Sequence, residues 1–229
     1  MQSLRTQLHP GVLPTPRNVR PRRQRGPHLM QGDLDGASGV CALWSALITL
    51  GIATRTQATA LRHLISDGVL ERVWLSGLDT YFSGSDADET LALVQSVDRR
   101  LRHERCMGPM RAQVEFAVRY LRTGGVVLLK LAQRGAAEDH WAVAVGWETL
   151  GPEGKERVIG ILCLDSAEPG PDLLRFNCRL ELDIPHFGAT YVRYWRASGD
   201  ANGMTIVAAI ALGRSPPLSP KSRSGKLRP

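Results

Sequence analysis

Three residues far apart in the chain carry side chains that together could perform acyl chemistry: Ser38, His140 and Asp165. A hydroxyl or thiol attacks an acyl carbon when an imidazole takes its proton, and the imidazole works best when a carboxylate fixes its ring. Ser38 stands in Gln31-Gly-Asp-Leu-Asp-Gly-Ala-Ser38-Gly39, a polar, glycine-rich stretch running into an apolar one. His140 opens the alternating segment His-Trp-Ala-Val-Ala-Val-Gly, and Asp165 closes Val-Ile-Gly-Ile-Leu-Cys-Leu-Asp. Gln31, seven residues before Ser38, could bring a carboxamide to the oxyanion that develops beside the amides of a helix mouth.

Cys41 is the rival nucleophile. With a helix starting near Ser38, Cys41 lies about 300° around the axis from it and about a turn further from the mouth. Its neighbours Ala42, Leu43 and Trp44 suggest burial, where a free cysteine behaves as a small hydrophobe. The geometry therefore favours Ser38 as the nucleophile position. Each residue also has an ordinary structural role: Ser38 as a helix N-cap, His140 as a strand-start surface residue, Asp165 as a turn residue. Their order, on a helix and then on strands, is what points to a joint site. Of the other imidazoles, His9 and His28 lie in a basic arm and His63 and His103 on or beside helices. His186, after Pro185, is the one rival.

The elements that must position these residues follow from periodicity. Val40, Leu43, Leu47 and Leu50 recur at helical spacing and Gly51 stops them. Further helices are expected over 56–66, 86–102 and 109–122, and a short strand over 69–75. From residue 126 the texture becomes β-rich, with strands expected over 126–132, 140–148, 157–165, 173–184, 190–196 and 204–212 and a tight turn at 151–154. Helices first and antiparallel strands second predict an α+β fold, an N-terminal helical half packed on a C-terminal antiparallel β-sheet half.

The 229 residues suffice for one domain. The net charge of +7 sits at the ends: residues 1–32 and 214–229 hold eleven of the 29 Lys and Arg and none of the 22 acids, leaving 33–213 at −4. The expected organisation is a Pro/Arg-rich arm over 1–30, a catalytic domain over 31–213 and a basic tail over 214–229. Such arms are commonly solvated termini, or they could touch an acidic partner or nucleic acid. No apolar run reaches the ~20 residues of a membrane helix, and no secretory signal is recognisable. Cys41, Cys106, Cys163 and Cys178 show no zinc-type spacing, which implies no metal and suggests reduced thiols in a cytoplasm.

The Gln31 loop with Ser38-Gly39, His140-Trp-Ala-Val-Ala-Val-Gly146 and Leu164-Asp165-Ser166 together resemble the papain-like bacterial cysteine peptidases, especially those that trim bacteriocin leader peptides. The resemblance covers 31–166 in outline. It implies a papain-like fold, a protein or peptide substrate and no cofactor, with Gln31 as oxyanion donor, His140 as general base and Asp165 as its orienter. Ser38 would hold the Cys place. That departure reads as a Cys→Ser change silencing the enzyme, which is the preferred reading, as a natural serine in an inactive relative, or as a sign that Cys41 is the nucleophile. Rival functions are acyl transfer to an amine, as in transglutaminase-like enzymes, a catalytically dead binding module, and a nucleic-acid adaptor working through the arms.

Overall fold

The computed structural model describes residues 3–13, 26–31, 35–60, 68–97, 101–133, 139–171, 175–182, 191–199 and 201–215. In chain order they form β1 (Ser3–Leu8), a 3-10 turn (Pro10–Val12), a second 3-10 turn (Asp35–Ala37), α1 (Ser38–Thr49), α2 (Arg55–Ala60), α3 (Gly68–Gly77), α4 (Thr80–Ser83) and α5 (Ala87–Ser96). Then come β2 (Leu101–Cys106), α6 (Met110–Arg122), β3 (Val126–Gln133), β4 (Asp139–Gly151), β5 (Arg157–Asp165), β6 (Cys178–Glu181), β7 (Val192–Arg196) and β8 (Ala201–Arg214).

Strands β3 to β8 form an antiparallel meander in which each pairs with the next, and β8 returns to pair with β3. The ring is closed: six strands make a barrel, with β1 added on β4 and β2 on β8. This overturns the expected α+β papain-like arrangement of a helical half packed on a sheet half. The deciding pairing, Val126↔Leu212 to Gln133↔Met204, joins the two ends of the strand series. Local periodicity sees each strand's faces but not a contact at that separation.

Inward side chains make closure possible. Val127, Leu129 and Leu131 face Ala142, Ala144, Ala209 and Ala211 in one buried cluster that also takes Ile161, Leu180 and Tyr194. Large residues meeting small ones fill a narrow interior without clash. One face of α6, with Phe116, Ala117 and Leu121, joins the same cluster. The outward faces of β3, β4 and β8 are apolar as well: Leu128, Trp141, Val143 and Ile210 pack with α1. Eleven of the twelve α1 residues are buried, so this helix needs cover on every side. The barrel wall supplies one side and α3, α4 and α5 the other.

Several local expectations change. The expected strand 69–75 lies in helix α3, where Val73 is buried. One turn on, a Cβ at Gly77 would come within 2.7 Å of Val40 Cγ2; the helix approaches α1 too closely for a side chain there. The expected helix 86–102 ends at Ser96, and Leu101 with Arg102 opens strand β2, which also carries His103. Its start follows the sequence: Asp86 caps α5 through the amides of Asp88 and Glu89, and Glu89 closes a capping box. Ser3–Leu8, expected within an extended arm, pairs in register with Gly146–Gly151, so organised structure starts well before Gln31. Residues 61–67, Asp33, His186, Arg17 to Arg25 and the tail beyond Ser215 lie outside the described residues, and the expectations placed on them with them. Among the described residues no helix is long and apolar enough to cross a membrane.

Candidate functional site

β4 and β5 run antiparallel with Ala142 opposite Asp165. His140, two residues before Ala142 on the same face, is therefore the diagonal neighbour of Asp165 at one mouth of the barrel. The two side chains meet: His140 Nε2 lies 2.8 Å from Asp165 Oδ2. The imidazole is partly exposed, whereas the carboxylate is 1% exposed.

A buried polar cluster holds Asp165 on all sides. Its amide donates to Asn177 Oδ1 at 2.7 Å, and its carbonyl accepts from Asn177 Nδ2 at 2.8 Å and lies 2.7 Å from His28 Nε2. Oδ1 accepts from the Ala167 amide at 2.9 Å, and Oδ2 accepts from the Tyr194 hydroxyl. Burial alone would push this carboxyl up; the hydrogen bond and charge of His140, then Tyr194 and the Ala167 amide, outweigh it and leave the group below its ordinary value. Burial, then Cys178 and Asp165, push the Tyr194 phenol well above its usual range, so it remains a donor.

α1 brings Ser38 to the start of β4. The Trp141 amide donates to Ser38 Oγ at 3.2 Å, one peptide unit from the His140 Cα. Ser38 is the first helical residue and 3% exposed, and it is not the N-cap; Ala37 takes that place without a side-chain cap bond. The 3-10 turn Asp35–Ala37 leads into the helix one residue early, which frees the Ser38 hydroxyl for the strand. Gly39 is demanded by packing: a Cβ there would run into the Ser85 hydroxyl and sit 3.3 Å from Trp141 Cδ1. Ser85 is itself fixed, its carbonyl accepting from Trp141 Nε1 at 2.9 Å and its hydroxyl from Thr90 at 2.9 Å. Cys41 belongs to the main core cluster at 7% exposure.

Gln31 is held beside the end of β5. Its amide donates to the Ser166 carbonyl at 3.0 Å, and its Oε1 accepts from the Ser166 hydroxyl at 2.9 Å. The carboxamide is thereby oriented, with its NH2 end left over. A cleft of about 760 Å³ opens here, lined by Gln31, by His140, Asp165 and Tyr194 of the barrel and by Gly84 and Asp86 on the helical side, with Ser38 behind its wall rather than on it. Ion pairs line it, Lys130 with Asp139 at 2.9 Å and Arg196 with Glu168 at 3.7 Å. Among the described residues no three His, Cys, Asp or Glu side chains gather as a metal-ligand set.

Four residues of the site, His28, Asn177, Tyr194 and Lys130, are not singled out by the sequence. Tyr194 is within its reach, because it shares the inward face of its strand with Val192. His28 gives no signal, since nothing periodic surrounds it, yet it is 5% exposed at the heart of the site. No protein-family model matches this chain, and no curated protein matches it.

Proposed function

We propose that Ser38, His140 and Asp165 form the seat of a cysteine-type peptidase or amide hydrolase in which serine occupies the nucleophile position. The observation that carries this reading is the His140 Nε2–Asp165 Oδ2 bond of 2.8 Å with Ser38 Oγ held by the next residue's amide. The carboxylate takes Nε2, so Nδ1, the ring nitrogen nearer the backbone, is the one that would have to serve the residue at position 38. With a thiol there, the thiolate would attack the acyl carbon of a peptide, His140 would protonate the leaving amine, and water would release the acid. The oriented Gln31 carboxamide supports a role as oxyanion donor. A serine hydroxyl in the same place is a far weaker nucleophile, because its pKa lies well above that of a thiol. The chain as it stands is thus the silenced form of this chemistry.

The deciding experiment is Ser38→Cys. The variant should gain alkylation by iodoacetamide at position 38, the gain should vanish with His140→Ala, and Cys41→Ala should leave it intact. A thiol at position 38 that reacts no faster than a free thiol at neutral pH, or equally fast without His140, defeats the proposal. That outcome would favour the second reading, a binding module without catalysis, which the near-complete burial of Ser38 supports. Acyl transfer is separated from hydrolysis by products formed with and without an added amine.

The proposed partner at the cleft is a peptide or protein. Nucleic acid or an acidic partner at the basic ends is a further proposal, tested by whether binding falls steeply with salt. A cytoplasmic setting is proposed on the four cysteines, none of them in a disulfide, among which Cys163 and Cys178 stand directly opposite each other on β5 and β6.

A further inference from the structure

We propose that Tyr194 is a positioning residue that sets the proton affinity of His140 through the Asp165 carboxylate, an inference that rests on the triad reading above. The argument is one of available lone pairs. The backbone of Asp165 is occupied by Asn177 and His28, and Oδ1 by the Ala167 amide. Oδ2 alone remains, and it is shared by two donors, His140 Nε2 at 2.8 Å and the Tyr194 hydroxyl. Two donors on one oxygen divide its charge: what the phenol takes, an imidazolium cannot use. Tyr194 therefore keeps Asp165 ionised and oriented while weakening its hold on the His140 proton.

The ring adds a steric part. Tyr194 and His140 lie with centroids 5.8 Å apart and planes tilted by 58°, so the phenol walls the imidazole on the barrel side. Of the other charges lining the cleft, two pairs are closed on themselves. Lys130 of β3 pairs with Asp139 of β4, and Arg196 of β7 with Glu168 after β5. Across the cleft, Asp86 and Glu89 accept from backbone amides at the start of α5. Among the described residues Tyr194 is thus the group that competes with His140 for Oδ2.

The test is the titration of the His140 imidazole by NMR in the full chain. Tyr194→Phe removes one oxygen atom and should raise the midpoint by about one pH unit, the scale of one charge-assisted hydrogen bond redistributed. In an Asp165→Asn background the same substitution should shift it by a few tenths at most, because the route runs through the charge. Replacing Tyr194 with 3-fluorotyrosine, a stronger donor of the same shape, should lower the midpoint, and it decides the matter if the phenylalanine variant folds poorly. An unmoved midpoint in both Tyr194 variants, or a shift of equal size without the Asp165 charge, overturns the proposal. In a Ser38→Cys chain the pH profile of iodoacetamide alkylation should move with the His140 midpoint. If the thiol introduced at position 38 proves unreactive while the titration shifts as stated, the hydrolase reading falls and the role of Tyr194 stands.

Discussion

At the residue scale the site is a carboxylate that has been made comfortable in a buried place. Asp165 is ionised because donors face both its oxygens, and its stabilising effect depends on pH. Its folded value lies below the ordinary one, so the contribution is complete above the unfolded value of about 4 and is lost as pH falls through the folded value. His28 acts in the same sense: burial, the largest cause, holds its imidazole below the usual histidine value. Its contribution is complete above about pH 6.5 and is lost on acidification. The chain should therefore lose stability in two stages, first as pH falls below about 6.5 through His28 and then as it falls below about 4 through Asp165. Urea midpoints measured across pH should show His28→Gln flattening the first stage and Asp165→Asn the second. Ser38, His140 and Asp165 stand out in the sequence because each lies at the junction of a polar stretch with an apolar one, and of these the structure brings His140 and Asp165 into contact. His28 and Asn177 do not stand out, because what makes them matter is a single buried carbonyl more than a hundred residues from His28.

At the element scale the helix–strand contact under the site is set by one missing side chain. Gly39 lets the Ser85 turn lie against α1, and Ser85 in turn receives the Trp141 indole. Gly39→Ala should force the Ser85 hydroxyl away from Thr90 and cost about 1–3 kcal/mol, the usual penalty of overpacking. Adding Ser85→Ala should recover much of it, because the clash with the hydroxyl goes and contacts of 3.3 Å to Trp141 and 3.4 Å to the Ser85 Cβ remain. Thermal unfolding of the two single variants and the double variant measures this coupling. The element types were largely legible: α1, α6 and strands β3, β4 and β5 match the periodic segments closely. Misreadings came where an apolar run is short. Val-Leu-Glu-Arg-Val-Trp-Leu suits a strand by composition, but it packs as a helix against α5 and α1, a tertiary context that no local window contains.

At the scale of the whole molecule the lesson is closure. Every strand in the meander was foreseeable from its own residues, whereas the β3–β8 pairing that turns a sheet into a barrel is a property of the ends and not of any window. The first strand shows the same limit. β1 lies on the second half of β4, and Val12 just after it is buried. Deleting residues 1–13 should therefore lower the urea midpoint measurably, which a merely solvated arm would not do; circular dichroism during denaturation checks it. Charge separates along the chain, since residues 33–213 are net acidic and an excess of basic residues gathers at the two ends.

The β8 strand has a consequence for how the protein is made. A ribosome delivers the chain from its N-terminus, so Ser38, His140 and Asp165 all emerge before the strand that seals the ring. Until Ala201–Arg214 arrives, β3 and β7 lack the partner that lies between them. A nascent chain halted before residue 201 would hold all three residues of the proposed site while the barrel ring is still open. The ring thus closes last, on a strand that contributes none of the three side chains.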